Sequence, residues 1–198
     1  PVTAGVRHRI GAGGELQIQG DMVFEGYWKD AQASAQALAD GWLHTGDVVR
    51  EEGGHIRIVD RLKDIMITAG GKNLSPSEIE NTVKASPFIK ECIVIAEARK
   101  FVAALIQIDY ELAGKWAEEK GIAYTNFRNL VENPALRELI QSEIDAANAQ
   151  LAQVAQIRKF HLLTKELDHD DDEVTATMKV RRANVQRKYE AEIESLYG

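Results

Sequence analysis

A chain of 198 residues, 44% hydrophobic and 28% charged with a formal net charge of −7, reads as one globular domain, or one domain with part of another, rather than a disordered segment. The negative balance argues against a general nucleic-acid binder, which needs a basic face, and no apolar run approaches the roughly 20 residues that span a bilayer. Cys92 is the single cysteine, so an internal disulfide and a cysteine-based zinc site are both excluded.

Along the chain, Gly11-Ala12-Gly13-Gly14 predicts a turn feeding a strand over 15–19, with Leu16 and Ile18 on its inner face. The same glycines would suit a phosphate loop, but a strand follows them, leaving no helix N-terminus for an anion. A short helix is expected over 30–38. Glu51-Glu52-Gly53-Gly54 predicts a hairpin turn between strands at 47–49 and 55–59. Beyond Asp60-Arg61-Leu62-Lys63, a small hairpin is expected from 65–68 and 73–74 around Ala69-Gly70-Gly71-Lys72. Ser75 as N-cap, Pro76 at the first helical position and Glu78 as capping-box partner then open a helix with Ile79 and Val83 on one face.

Strands at 91–96 and 101–108 are close enough to pair antiparallel, and Cys92-Ile93-Val94-Ile95-Ala96 makes Cys92 a buried structural thiol. An apolar stripe of Leu112, Ala113, Trp116 and Ala117 stops at Gly121, a C-cap residue. Asn133-Pro134 opens a long amphipathic helix carrying Leu136, Leu139, Ile140, Ile144, Ala147 and Leu151. A final strand is expected over 160–163. Strands followed by segregated helices, without an internal repeat, predict an α+β fold.

Four segments carry chemistry. In Asp40-Gly41-Trp42-Leu43-His44-Thr45-Gly46-Asp47, a carboxylate after a glycine turn can accept hydrogen bonds from two neighbouring hydroxyls, as on a ribose, worth about 1.5–3 kcal/mol each; alternatively Asp47 is an ordinary turn residue. In Asp60-Arg61-Leu62-Lys63-Asp64, the plain expectation is a solvated ion pair of Arg61 or Lys63 with Asp60 or Asp64, worth about 0–1 kcal/mol. The run Asp168-His169-Asp170-Asp171-Asp172-Glu173 lacks calcium-loop spacing and is expected to be a solvated loop. Arg181, Arg182, Arg187 and Lys188 could attract the phosphates of a ligand or an anionic membrane, but are expected on a solvated helix face, paired partly with Glu190, Glu192 and Glu194. His8, His44, His55, His161 and His169 have no ligand or triad spacing. We expect Trp28, Trp42 and Trp116 in the core or barrel.

The Trp-Leu-His-Thr-Gly-Asp segment, the 60–64 segment and Gly70-Gly71-Lys72-Asn73-Leu74-Ser75-Pro76-Ser77-Glu78-Ile79-Glu80, in this order and spacing, resemble the adenylate-forming superfamily of acyl-CoA synthetases, luciferases and peptide-synthetase adenylation domains. The resemblance runs from about Gly14, through Gly26-Tyr27-Trp28, to near the C-terminus. Glu173-Val174-Thr175-Ala176-Thr177-Met178-Lys179-Val180-Arg181-Arg182 resembles the terminal catalytic-lysine segment in its long-chain fatty acyl-CoA synthetase form.

The resemblance implies a partial β-barrel subdomain over 1–59, a hinge at 60–63 and a mobile α+β catalytic lobe of small antiparallel sheets and helices over 64–198. It implies that Asp47 holds the adenylate ribose, that His44 lies on the nucleotide-proximal strand, that Arg61 and Lys63 lie near the nucleotide, and that Asp60 and Lys63 serve the hinge. Lys179 would reach the carboxylate and α-phosphate during adenylation; two anions meet there, and a preorganised cation stabilises the charge of the transition state. Gly70, Gly71 and Lys72 would approach the CoA pantetheine, where small residues permit close contact. Some relatives carry a lysine where Ile67 stands, so that charge is absent here. Met178 stands where the commoner pattern has glycine, and Ala176 where it has proline.

The implied substrates are fatty acid, ATP and CoA, with Mg²⁺, and no metal ligands are expected in this chain. The implied partner is the N-terminal part of the same enzyme, which carries the phosphate loop and acyl tunnel. From its start at Pro1 we expect a trimmed piece of a cytoplasmic ligase, inactive alone, with peripheral membrane contact left open. A non-catalytic binding module, or an enzyme loading a carrier protein, are the alternatives.

Overall fold

In the computed structural model, which describes residues 5–198, the N-terminal unit, ending at Ile65, is an antiparallel meander. β1 (Arg7–Ile10), β2 (Glu15–Gln19), β3 (Leu43–Glu52) and β4 (His55–Arg61) pair in that order. Gly53 and Gly54 turn β3 into β4 with φ of 57° and 75°, the double left-handed geometry that matches strand twist and favours glycine. The expected short helix is α1 (Ala31–Ala37), capped by Asp30, whose side chain accepts from the Ala33 N–H.

β2 alternates as expected but with its faces reversed. Glu15 and Gln17 are buried, while Leu16 and Ile18 are half-buried. The polar side chains satisfy one another: Arg9 Nε donates to Gln17 at 2.7 Å, and Gln17 donates to Glu15 at 3.2 Å. Leu16, Ile18, Ile56 and Ile58 instead line an open cavity of about 370 Å³. Trp28 is also contrary to expectation, being 89% exposed, and Trp42 lies under the Arg9 guanidinium at 4.5 Å.

The second unit, Met66–Gly198, begins with the ribbon β5 (Met66–Ile67) and β6 (Asn73–Leu74), then α2 (Pro76–Val83). Ser75 caps α2 by accepting from the Glu78 N–H at 3.1 Å. β7 (Ile89–Ile95) and β8 (Val102–Ile108) pair antiparallel. α3 (Tyr110–Glu119), α4 (Phe127–Val131) and α5 (Pro134–Asn148) then return the chain to β9 (Ile157–Leu162). β9 pairs parallel to β8, so the sheets are not all antiparallel as expected. A long helical crossover delivers the strand in the same direction, which a short hairpin cannot do. The chain ends with α6 (Arg182–Lys188) and α7 (Glu190–Tyr197).

This sheet is covered on both sides, which explains its unbroken apolar strands. Cys92, Val94, Ala104 and Ile106 face one core with Ile79, Val83, Leu136, Ile140 and Ile144, and Trp116 packs against it. Ile93, Ile95 and Leu105 face a second core with Val174, Val185, Tyr189 and Ile193. Burial pushes the Cys92 thiol well above its usual pKa. Leu112 departs from its predicted stripe and is exposed; Ala113 and Ala117 form the buried edge of α3. Among the described residues, no helix is long and apolar enough to cross a membrane.

Candidate functional site

The register of β3 and β4 sets Asp47 opposite Arg61. Arg61 Nε donates to Asp47 Oδ1 at 2.9 Å, which corrects the expected pairing of Arg61 with Asp60 or Asp64. Directly opposed residues on neighbouring strands put their side chains on one face, whereas the carboxylate of Asp60 is turned back on the chain. Asp60 is buried and its Oδ1 accepts the Arg61 N–H at 2.8 Å, closing the end of β4. Thr45 braces the same strand: its hydroxyl donates to the Leu16 carbonyl at 2.7 Å and accepts the Asp47 N–H at 3.1 Å. Lys63 is exposed on the single 3-10 turn Leu62–Asp64 that follows.

His44, two positions before Gly46, donates through Nδ1 to Glu15 Oε2 at 2.8 Å. Its Nε2 is buried without a hydrogen-bond partner among the described residues. Burial pushes the Glu15 carboxyl up, but hydrogen bonds from Gln17, the Gly46 N–H and His44 outweigh it and hold the group below the usual range. His8, His55 and His169 are exposed, and His161 is half-buried.

The turn between β5 and β6 is organised by Thr68. Its N–H donates to the Lys72 carbonyl at 3.0 Å, its carbonyl accepts the Gly71 N–H at 2.8 Å, and its hydroxyl accepts the Lys72 N–H at 3.1 Å. Three tethers fix this ribbon to the β7–β8 connection: Ala69 N–H to the Arg99 carbonyl at 2.9 Å, Ala98 N–H to the Ile67 carbonyl at 2.8 Å, and Ile67 N–H to Glu97 at 2.7 Å. Gly71 has φ of 71°, a left-handed conformation that favours glycine. Gly70 does not: a Cβ there would meet only the Thr68 hydroxyl, at 3.9 Å.

Lys179 stands near the tip of a small hairpin. Val174 bridges Val180, the Thr175 N–H donates to the Lys179 carbonyl at 2.8 Å, and the Lys179 N–H returns to the Thr175 hydroxyl at 3.1 Å. Met178 takes the left-handed backbone, φ 61°, at the position where the commoner pattern has glycine. The Lys179 side chain is exposed and has no ion-pair partner among the described residues.

Three of its four basic neighbours are ion-paired, though not with the expected acids; Arg187 has no ion-pair partner among the described residues and donates to Asn184 at 3.2 Å. Arg181 pairs with Asp172, Arg182 with Glu80 at 2.7 Å, and Lys188 with Glu173 at 2.8 Å and Asp171 at 3.1 Å; Glu194 is taken by Arg99. Residues 168–172 form the exposed loop expected of the acidic run, but its last three carboxylates are paired with Lys165, Arg181 and Lys188, and Glu173 is fully buried. Burial pushes the Glu80 carboxyl above its usual range despite Arg182. Lys179 and the 70–72 turn share no hydrogen bond or ion pair, although Glu80 on α2 links to Arg182, three residues past the lysine.

Residues 63–198 match the family described as AMP-binding enzyme C-terminal domain. The chain belongs to that family. Among its relatives, the long-chain-fatty-acid–CoA ligase FadD15 of Mycobacterium tuberculosis is 38% identical over 192 residues, covering 96% of this chain and 32% of its own length. The peroxisomal long chain acyl-CoA synthetase 7 of Arabidopsis thaliana is 30% identical, over 93% of this chain and 27% of its own. The chain thus spans about a third of the length of the curated relatives it matches. The solved adenylation domain of the carboxylate reductase from Mycobacterium chelonae superposes with a TM-score of 0.70 at 26% identity, covering 92% of this chain and 27% of that one.

In this AMP-binding enzyme C-terminal domain, sequence reasoning missed the residues that hold the loops. Glu97 carries no local signal, because its partner is a backbone group 30 residues away, whereas Thr68 holds its turn through Gly71 and Lys72, close in sequence. Glu173 was legible only as part of an acidic run, yet it is fully buried. The described residues gather no group of three or more His, Cys, Asp or Glu that could hold a metal ion.

Proposed function

We propose that this chain is the C-terminal part of a long-chain fatty acid–CoA ligase, which joins a fatty acid to CoA through an acyl-adenylate formed from ATP with release of pyrophosphate. The observation that carries the reading is Lys179. It is exposed at the end of a braced hairpin, while Lys165, Arg181, Arg182 and Lys188 around it are all paired with carboxylates. An unpaired, preplaced ammonium suits the meeting of a carboxylate with the α-phosphate, where negative charge accumulates. The 38% identity to FadD15 supports the substrate class.

In this reading Asp47 accepts the ribose hydroxyls. The pair it makes with Arg61 fits that role, since Arg61 occupies Oδ1 at 2.9 Å and the second oxygen has no hydrogen-bond partner among the described residues. Arg61 and Lys63 add positive charge near the nucleotide. Asp60 and Lys63 serve a hinge over 60–63; the two compact units divide just beyond it, between Ile65 and Met66. The 70–72 turn receives the pantetheine of CoA, and the chain's own packing does not require glycine at position 70. The partner is the remainder of the same cytoplasmic enzyme, and the bare apolar face of β1–β4 is the surface it would cover.

The test is Lys179→Ala in the full-length enzyme, with the two half-reactions scored separately. Fatty-acid-dependent pyrophosphate exchange should fall about 10²–10³-fold, while CoA still consumes supplied acyl-adenylate. Unchanged exchange would remove Lys179 from the mechanism. The chain alone should form no acyl-CoA, and robust formation would sink the reading. Transfer to a carrier-protein thiol is the second reading, favoured by the likeness to the carboxylate reductase adenylation domain; product analysis with CoA and with a carrier protein separates the two.

A further inference from the structure

The hairpin that carries Lys179 is very short. Its rungs join Glu173 to Arg181, Val174 to Val180 and Thr175 to Lys179, around the exposed tip Ala176-Thr177-Met178. An isolated two-stranded ribbon is marginal in water, so its direction has to be set from its base.

Glu173 forms that base. Its side chain is 0% exposed, and both carboxylate oxygens are doubly satisfied. Oε2 accepts from Lys165 Nζ at 2.8 Å and from the Asp168 N–H at 2.9 Å. Oε1 takes Lys188 Nζ at 2.8 Å and the Tyr189 hydroxyl at 3.2 Å. The donors come from the segment after β9, from the end of α6 and from the α6–α7 junction, so one carboxylate ties three parts of the lobe together. Its main chain belongs to the hairpin: the Arg181 N–H donates to the Glu173 carbonyl at 2.8 Å. Asp171 also meets both lysines, so two carboxylates balance two ammoniums.

A buried carboxylate, even when paired with cations, is seldom more stabilising than an apolar side chain of the same volume. The second core beside it is built from such side chains, among them Leu163, Val174 and Val185. What an apolar residue at 173 would not supply is a directional anchor with four fixed bonds.

We infer that Glu173 is a positioning residue for adenylation: it locks the base of the hairpin and so sets where the Lys179 ammonium reaches. The inference rests on the reading of Lys179 given above. Burial raises the carboxyl of Glu173, but the hydrogen bonds from Lys165, Lys188 and Asp168 prevail and hold it ionised below the usual range.

The experiment uses the full-length enzyme with Glu173→Gln, Lys179→Ala and the double variant. In Glu173→Gln, kcat for pyrophosphate exchange should fall at least about 10-fold, since misplacement of about 1 Å can cost 10²-fold. KM for ATP and the rate from supplied acyl-adenylate and CoA should stay within about 2-fold, because neither depends on the lysine's reach. In the Lys179→Ala background, Glu173→Gln should cost exchange nothing more, since no lysine remains to be misplaced. Equal losses in both half-reactions, a further loss in the double variant, or undiminished exchange would each overturn the inference. If Glu173→Gln fails to fold, Lys188→Met, which removes one of the four donors, is read by the same criteria. Intact exchange in Lys179→Ala alone defeats the lysine assignment itself; collapsed exchange there with full activity in Glu173→Gln defeats only the positioning role.

Discussion

In the lobe, β7 sends Cys92 and Val94 into one core and Ile93 and Ile95 into another. In the N-terminal sheet, β2 buries Glu15 and Gln17, while Leu16 and Ile18 line an open cavity and Ile58 on β4 is 62% exposed. Both strands alternate or fill as their sequences require. They differ in what lies over each face. The lobe brings its own helices to both sides of its sheet. The N-terminal sheet covers its polar face with interlocked side chains and leaves its apolar face bare among the described residues. Apolar surface gains by leaving water wherever a partner exists, so the lobe is energetically closed within this chain and the sheet is not.

The largest effect that would sharpen this contrast is a cavity in the lobe. Ile140 is fully buried in the first core, and Ile140→Ala should cost about 2–5 kcal/mol, measured by denaturant unfolding followed through Trp116 fluorescence. Ile58→Ser in the same chain should shift stability by less than about 0.5 kcal/mol. In the full-length enzyme it should cost about 1.5–3 kcal/mol if the face is covered there. Equal costs for Ile140→Ala and Ile58→Ser in this chain would break the comparison.

Acid should act next, and with opposite signs at two lobe carboxylates. Glu173 titrates below its ordinary 4.5 in the folded protein. Its stabilisation is therefore full above that pH and lost as pH falls through the lowered folded value. Glu80 titrates above its ordinary 4.5, so its contribution is full in acid and is lost as pH rises through the raised value. Unfolding free energies measured across the acid range should fall more steeply in Glu80→Gln, which lacks the offset, and less steeply in Glu173→Gln. The reverse order would contradict the assigned environments. The smallest expected effect is at the hairpin tip. Met178→Gly relieves a left-handed side chain and should raise stability by up to about 1 kcal/mol, read from the same unfolding curves.

Local chemistry was legible where the partners are near in sequence. Ser75-Pro76 opened α2, Asn133-Pro134 opened α5 and Gly53-Gly54 turned β3 into β4, because caps and turns are set within a few residues. The resemblance singled out Asp47, Arg61 and Lys179 as residues, but not the ion pair between the first two, nor the hairpin that lifts the third. The burial of Glu173 at the end of the acidic run 168–173 was missed for the same reason. The run's charges are visible in any reading, whereas Lys165 and Lys188 reach Glu173 only because the fold brings the segment after β9 and the end of α6 to it.

By itself, then, the amino-acid sequence determined the main caps and turns, which follow from short-range sterics and hydrogen bonding, together with the family and the chemical type of the candidate groups. Only the tertiary structure decided which face of β2 is buried, which cations are neutralised, and that Lys179 is left without an ion-pair partner among the described residues. Burial and pairing depend on what the rest of the chain brings within a few ångströms, and no local pattern encodes that.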